Sequence, residues 1–295
     1  MRESLLTRVK SRLYLRARRP ATHLLDGQYA SIHRGRSLDF ADLREYVAGD
    51  EVDDIDWKAT ARTGQPLVRR YVADRRHRVC LVVDGGRDFA AMSAAGEPKR
   101  DLAIAVAGTL GWIALSHGDE VALVTGDEDG IEATPFRTRP DALDHALHVL
   151  QDRIRLDGPR SDVLGLCERV RTTIRHRTLL VLVLDETPLR PELLHAMSTL
   201  AAQHEVLWIE LADAAPAVRG RRDATPYDVD GAWALPGLLR GDRRLLDGLE
   251  QARDERAERL AEFTAQHRIS YGRIAREVEV VPVLLELLRA RQHAR

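Results

Sequence analysis

The chain has 295 residues, 44% hydrophobic and 31% charged, with a formal net charge of −1. That length is ample for one large α/β domain with a real core. Near-neutral charge and 5% aromatic residues argue against a broad basic nucleic-acid surface or a base-stacking platform, so no nucleic-acid partner is expected.

Residues 1–20 carry seven arginines or lysines against one acid, Glu3. Leu5, Leu6, Val9 and Leu13 fall at helical spacing within this block. The pattern predicts a basic helix with one narrow apolar stripe, either packed on the domain or lying on an anionic lipid surface. The segment has no apolar run of signal-peptide length, and the apolar run at 179–184 is strand-length rather than membrane-length. A cytoplasmic protein without membrane association is therefore expected. Charge then alternates along the chain. Residues 39–56 hold eight acids against Arg44, and 58–78 turn basic through Lys58, Arg62, Arg69, Arg70, Arg75, Arg76 and Arg78. Such blocks fold onto one another or face a partner.

From residue 79 strands and helices alternate. VCLVVD (79–84) predicts a buried parallel strand ending in an acid. A helix follows from near Pro98, closed by Gly118 as a left-handed cap. EVALVT (120–125) is the next strand, and GIEATPF (130–136) reads as an antiparallel edge strand. Helices are predicted over 141–156 and over 162–175, the second capped by Ser161. TLLVLVLD (178–185) is a second buried strand ending in aspartate. Helix 191–203, strand 205–211, helix 243–266, a short strand near 269–271 and helix 282–292 complete the series. Residues 213–233 read as a surface loop. Cys80 and Cys167 lie in apolar stretches, too few for a disulfide framework, and read as buried thiols of a reducing compartment. Strands separated by helices imply right-handed crossovers and a doubly wound, mostly parallel α/β sheet.

Ligands of such sheets bind beyond the carboxyl ends of the strands. Asp84 and Asp185 sit there, either as oxygen ligands for a hard cation or as caps for the loops that follow. No GxGxxG or GxxxxGK[ST] loop is present, so nucleotide hydrolysis by this chain is not expected. GxSxG, HExxH and CxxC motifs are also missing. His145 and His148, three apart on one helix, read as a solvated face.

One segment carries more information. Residues 33–76 hold Gly35, an F-x-x-L-R-x-Y motif (Phe40, Leu43, Arg44, Tyr46), a G-D-x-x-x-x-I-D-W motif (Gly49, Asp50, Ile55, Asp56, Trp57) and an A-R-T-G motif (Ala61, Arg62, Thr63, Gly64). This resembles the bacterial domain of unknown function 58, a von Willebrand factor A-like group linked to MoxR-type AAA+ ATPases. Physically, Phe40, Leu43, Tyr46 and Ile55 are expected to anchor the segment on the core. Asp50, Asp56 and Arg62 suit charge-assisted pairing, and Gly49 and Gly64 suit positive φ. The segment is either a structural brace or a partner surface.

The resemblance implies a von Willebrand factor A-like fold with an N-terminal extension packed on it. The expected divisions are 1–32 (basic helix and linker), 33–76 (signature) and 77–295 (α/β domain). It also implies a metal-adhesion loop of D-x-S-x-S form, where this chain has Asp84-Gly85-Gly86-Arg87-Asp88. Asp84, Asp88 and Asp185 are the candidate metal residues, with Thr138 a candidate threonine ligand. Because both serines are replaced, no cofactor or a weakly bound divalent cation such as magnesium is expected. Arg87 is placed to supply a fixed positive charge in its stead. The function implied is a non-catalytic interaction module, partner or adaptor of a MoxR-type AAA+ ATPase in assembly or maturation of an unidentified client protein. The alternative is a divalent-metal-dependent hydrolase or phosphoryl-transfer enzyme built on the strand-end aspartates.

Overall fold

The computed structural model describes residues 3–16, 24–30, 39–47, 55–72, 77–214, 227–229, 233–234, 236 and 242–293. Its centre is a six-stranded sheet of β3 (Arg78–Asp84), β4 (Glu120–Asp127), β5 (Gly130–Ala133), β6 (Leu179–Asp185), β7 (Glu205–Leu211) and β10 (Ser270–Ile274), in the order β10-β7-β6-β3-β4-β5. Every pairing is parallel except that of β4 with the edge strand β5. This is the doubly wound sheet expected from the alternation of strands and helices.

The strand sequences explain why it is covered on both faces. Successive residues of a strand point to opposite sides. In β3, Val79, Leu81 and Val83 enter one core while Cys80 and Val82 enter the other; in β6, Leu179, Val181 and Val183 oppose Leu180, Leu182 and Leu184. Both sets are apolar, so neither face tolerates water. One face is covered by α4 (Lys99–Ser116), α5 (Pro140–Arg153) and α9 (Val280–His293). The other is covered by α6 (Val163–Thr173), α7 (Pro191–Gln203) and the last turns of α8 (Arg243–Gln266).

The N-terminal helix α1 (Leu5–Arg16) belongs to this core. Leu5, Leu6, Val9 and Leu13 are all buried, the first three in the cluster formed with α4 and α5. Asp144 of α5 accepts from the Leu6 N–H (2.8 Å) and the Ser4 hydroxyl (2.9 Å), capping the helix. Of the two expectations for this helix, the packed one holds. Helix α2 (24–30) adds Leu25 and Tyr29, whose hydroxyl donates to Asp119 at 2.7 Å.

The signature segment folds apart from the main sheet. β1 (Asp39–Glu45) and β2 (Leu67–Val72) form their own antiparallel ribbon, with α3 (Trp57–Thr63) between them in sequence. It does not extend the six-stranded sheet. Asp56 caps α3 by accepting from the Lys58 and Ala59 N–H groups, both at 3.0 Å, and its own N–H donates to Leu67 O. Gly64 ends the helix at φ +77°, as read from sequence. Gly118 likewise has φ +82°.

Several boundaries moved. The helix expected over 141–156 runs Pro140–Arg153, and that over 162–175 runs Val163–Thr173. The latter is capped by Asp162, which accepts from Gly165 N at 2.9 Å, not by Ser161. The C-terminal strand and helix are longer than expected, at Ser270–Ile274 and Val280–His293. Much of the 213–233 loop lies outside the described residues, apart from a short pair of β8 (Tyr227–Asp228) and β9 (Trp233–Ala234).

Candidate functional site

Three strands adjacent in the sheet end in aspartate: β6 in Asp185, β3 in Asp84 and β4 in Asp127. The chain order reverses between β3 and β6, which is the switch point where doubly wound sheets open their crevice. Here all three aspartates are buried within the protein.

Asp84 is fully enclosed. Its Oδ1 accepts from Gly86 N at 2.9 Å, while Oδ2 has no hydrogen-bond partner in position. Two hydroxyls beside the same loop are also buried without a well-formed bond, Thr125 Oγ1 and Ser161 Oγ. Burial pushes the Asp84 carboxyl up to about 7; the Gly86 N–H and the nearby Ser161 oppose that, while the charges of Asp88 and Asp127 add to it. Ser161 is thus a polar neighbour of the carboxyl rather than an aligned partner.

The two glycines after Asp84 set this geometry. A Cβ at Gly85 would lie 2.7 Å from Arg153 Cδ, and one at Gly86 would lie 2.4 Å from Ser161 Oγ and 2.5 Å from Ser161 N. Their bareness lets the connection from α5 to α6 close on the loop, where Arg87 N donates to Pro159 O at 2.9 Å. A serine at position 86 has no room.

Asp127 and Asp185 are each held by a cation from the chain. Arg153 Nε donates to Asp127 Oδ2 at 2.8 Å and Nη2 to Oδ1 at 3.1 Å, and Nη2 also reaches Gly130 O. Lys99, in the first turn of α4, donates to Asp185 Oδ1 (2.9 Å) and Oδ2 (2.7 Å) and pairs with Asp213 Oδ1 at 2.6 Å. Burial alone would pull the Lys99 ammonium down, but Asp185 and Asp213 together outweigh it and hold the group protonated.

The candidate metal residues Asp84, Asp88 and Asp185 are therefore not gathered around one point. Among the described residues no group of three or more His, Cys, Asp or Glu side chains is placed to hold a metal ion. Asp185 spends both oxygens on Lys99, and Asp88 lies half-buried in the single turn Arg87–Ala90. This donor set does not fit a divalent cation bridging Asp84 and Asp185. Lys99 and Arg153 supply fixed charges at the ends of β6 and β4. Thr138 is exposed beyond the edge strand; the hydroxyl beside Asp84 from the α5–α6 connection is Ser161. Cys80 and Cys167 are buried, and burial raises both thiols, Cys167 to about 12, so neither is a nucleophile.

The sequence held signals for the missed residues. Lys99 and Arg100 open a helix, where the macrodipole disfavours cations; such a pair calls for nearby acids. The apolar pattern of β4 ends at Thr125, two residues short of Asp127, and Ser161 stands next to Asp162, which makes the helix cap.

In the signature segment, Tyr46 does not anchor the core: it is 38% exposed, and Val47 and Trp57 are exposed to 62% and 64%. Arg44 and Arg62 are exposed, and Asp56 pairs with backbone rather than with Arg62. Phe40 pairs in register with Tyr71. Gly35, Gly49 and Asp50 lie outside the described residues.

Strand order, three strand-end aspartates and a separate signature ribbon define a doubly wound α/β domain in which two of those aspartates are closed by cations of the chain. The chain belongs to the family described as "Protein of unknown function DUF58", whose profile matches residues 42–218. It is similar to uncharacterized protein Mb1516 of Mycobacterium bovis (strain ATCC BAA-935 / AF2122/97) and uncharacterized protein Rv1480 of Mycobacterium tuberculosis (strain ATCC 25618 / H37Rv). Each is 30% identical over 192 residues, covering 64% of this chain and 60% of the relative. The match thus spans less than two thirds of those relatives' length.

Among solved structures, a von Willebrand factor type A protein from Catenulispora acidiphila matches with TM-score 0.42 and 10% identity, over 75% of this chain and 43% of that one. An aerotolerance-related membrane protein from Bacteroides fragilis NCTC 9343, with multiple mutations to serines, matches with TM-score 0.43 and 11% identity, over 72% and 98%. Both scores are low, and the fold rests on the strand order above. In this chain no described helix is long and apolar enough to cross a membrane.

Proposed function

We propose that this chain is a non-catalytic protein-interaction module that partners a MoxR-type AAA+ ATPase in assembly or maturation of a client protein in the cytoplasm. The observation that carries the reading is the exposure of Tyr46, Val47 and Trp57 on the family-signature ribbon. A solvent-facing tryptophan in a specific motif contributes nothing to a core, whereas tryptophan and tyrosine are the side chains that most often anchor an interface. The charged groups of the sheet top, by contrast, are largely turned inward on each other. Energy for remodelling comes from the partner, because this chain has no phosphate-binding loop of its own.

Calorimetric titration of the chain with a purified MoxR-type ATPase, in ATP-analogue and ADP states, tests this. Binding is expected in at least one state, weakened about 30-fold by Trp57→Ala, the equivalent of about 2 kcal/mol. No heat in either state, with a folded chain, would sink the proposal. Magnesium-dependent hydrolysis that is lost in Asp84→Asn would establish the enzyme alternative instead.

A further inference from the structure

Lys99 is 1% exposed, yet it is a lysine in the first turn of a helix, next to a second cation, Arg100. Burying an ammonium is costly unless it is paired and fully hydrogen-bonded, and the helix N-terminus adds to that cost. What offsets both is a set of acids drawn from two other elements. Asp185 at the end of β6 gives both oxygens, at 2.9 and 2.7 Å, and Asp213 just beyond β7 gives one at 2.6 Å. An ammonium has three donors, and three carboxylate oxygens surround this one.

The same junction is tied by the backbone: Ala94 N donates to Ala212 O at 2.8 Å and Lys99 N to Ala91 O at 3.0 Å. Ser93 Oγ donates to Ala275 O at 2.7 Å, which brings in the end of β10. The lysine therefore sits where the loop before α4 meets the ends of β6, β7 and β10.

We infer that the Lys99 ammonium is the fixed cation at the end of β6, supplying from within the chain the positive charge that a divalent ion would otherwise bring to Asp185. Both Asp185 oxygens are occupied by it, so this end of the sheet is assembled without metal and independently of ion concentration. The role holds whichever protein docks on the molecule.

Thermal unfolding of five proteins tests it. Wild type is expected to melt at the same temperature in chelator and in millimolar magnesium, manganese or calcium. Lys99→Met, which keeps an unbranched side chain one atom shorter and removes the charge, is expected to melt on the order of 10 °C lower, because two acids are left facing each other. Combining Lys99→Met with Asp185→Asn and Asp213→Asn is expected to recover most of that loss. Lys99→Ala is expected to gain stability from propylammonium relative to sodium, with no such gain in wild type. A divalent-cation gain in wild type that Asp185→Asn abolishes would overturn the inference, as would Lys99→Met melting with wild type. If Lys99→Met does not fold, a triple variant equally unfolded would overturn it too, since packing rather than charge would then be the lysine's contribution.

Discussion

At the level of single residues, the enclosed carboxyl of Asp84 links structure to pH. Its folded value, about 7, lies above the ordinary 3.8 because burial penalises the charged form. The folded state therefore holds the proton more tightly than the unfolded state. The stabilising contribution is fully present below about pH 4 and is lost as pH rises through about 7. At about 1.4 kcal/mol per pH unit this is on the order of 4 kcal/mol. Asp84→Asn keeps an oxygen for the Gly86 N–H and removes the titration. Urea unfolding should show the variant more stable than wild type at pH 8, with the gap closing toward pH 4; parallel stability curves would contradict this. Gly86→Ser tests the neighbouring loop. Restoring the hydroxyl of the D-x-S pattern should cost about 2 kcal/mol or more, because its Cβ collides with Ser161 backbone atoms. A variant as stable as wild type would show that the α5–α6 connection yields.

At the level of elements, periodicity carried most of the fold. The apolar runs of β3 and β6, the helix after Pro98 and the antiparallel edge at 130 were legible because each buries a face with its own spacing. The stripe Leu5, Leu6, Val9, Leu13 gave α1, but its destination was not legible: a lipid surface and a protein surface demand the same pattern. The structure buries the stripe against α4 and α5. Leu6→Ala should accordingly cost about 2–4 kcal/mol in chemical unfolding, whereas a change below about 0.5 kcal/mol would mark an exposed helix. The ribbon shows the opposite case. Its motifs identify the family at fixed spacing, yet motif and burial are separate properties, and Tyr46 reads as an anchor until its exposure is seen. Charge pairing was the least legible feature. Lys99 is 86 residues from Asp185, and no local pattern joins them beyond the oddity of a cation at a helix start.

At the level of the whole molecule, two surfaces divide the work. The sheet top, where doubly wound folds offer their crevice, has Asp127 and Asp185 closed by Arg153 and Lys99. The ribbon of β1, β2 and α3 forms its own small sheet and turns Tyr46, Val47 and Trp57 outward. A partner that gains affinity by desolvating aromatic area gains most at the second. Amide hydrogen exchange with and without a purified MoxR-type AAA+ ATPase distinguishes them directly. The account predicts new protection over 39–47 and 55–72, with the strand ends at 84–88 and 185–190 unchanged. Protection confined to those strand ends, with the ribbon exchanging as in the free chain, would contradict it.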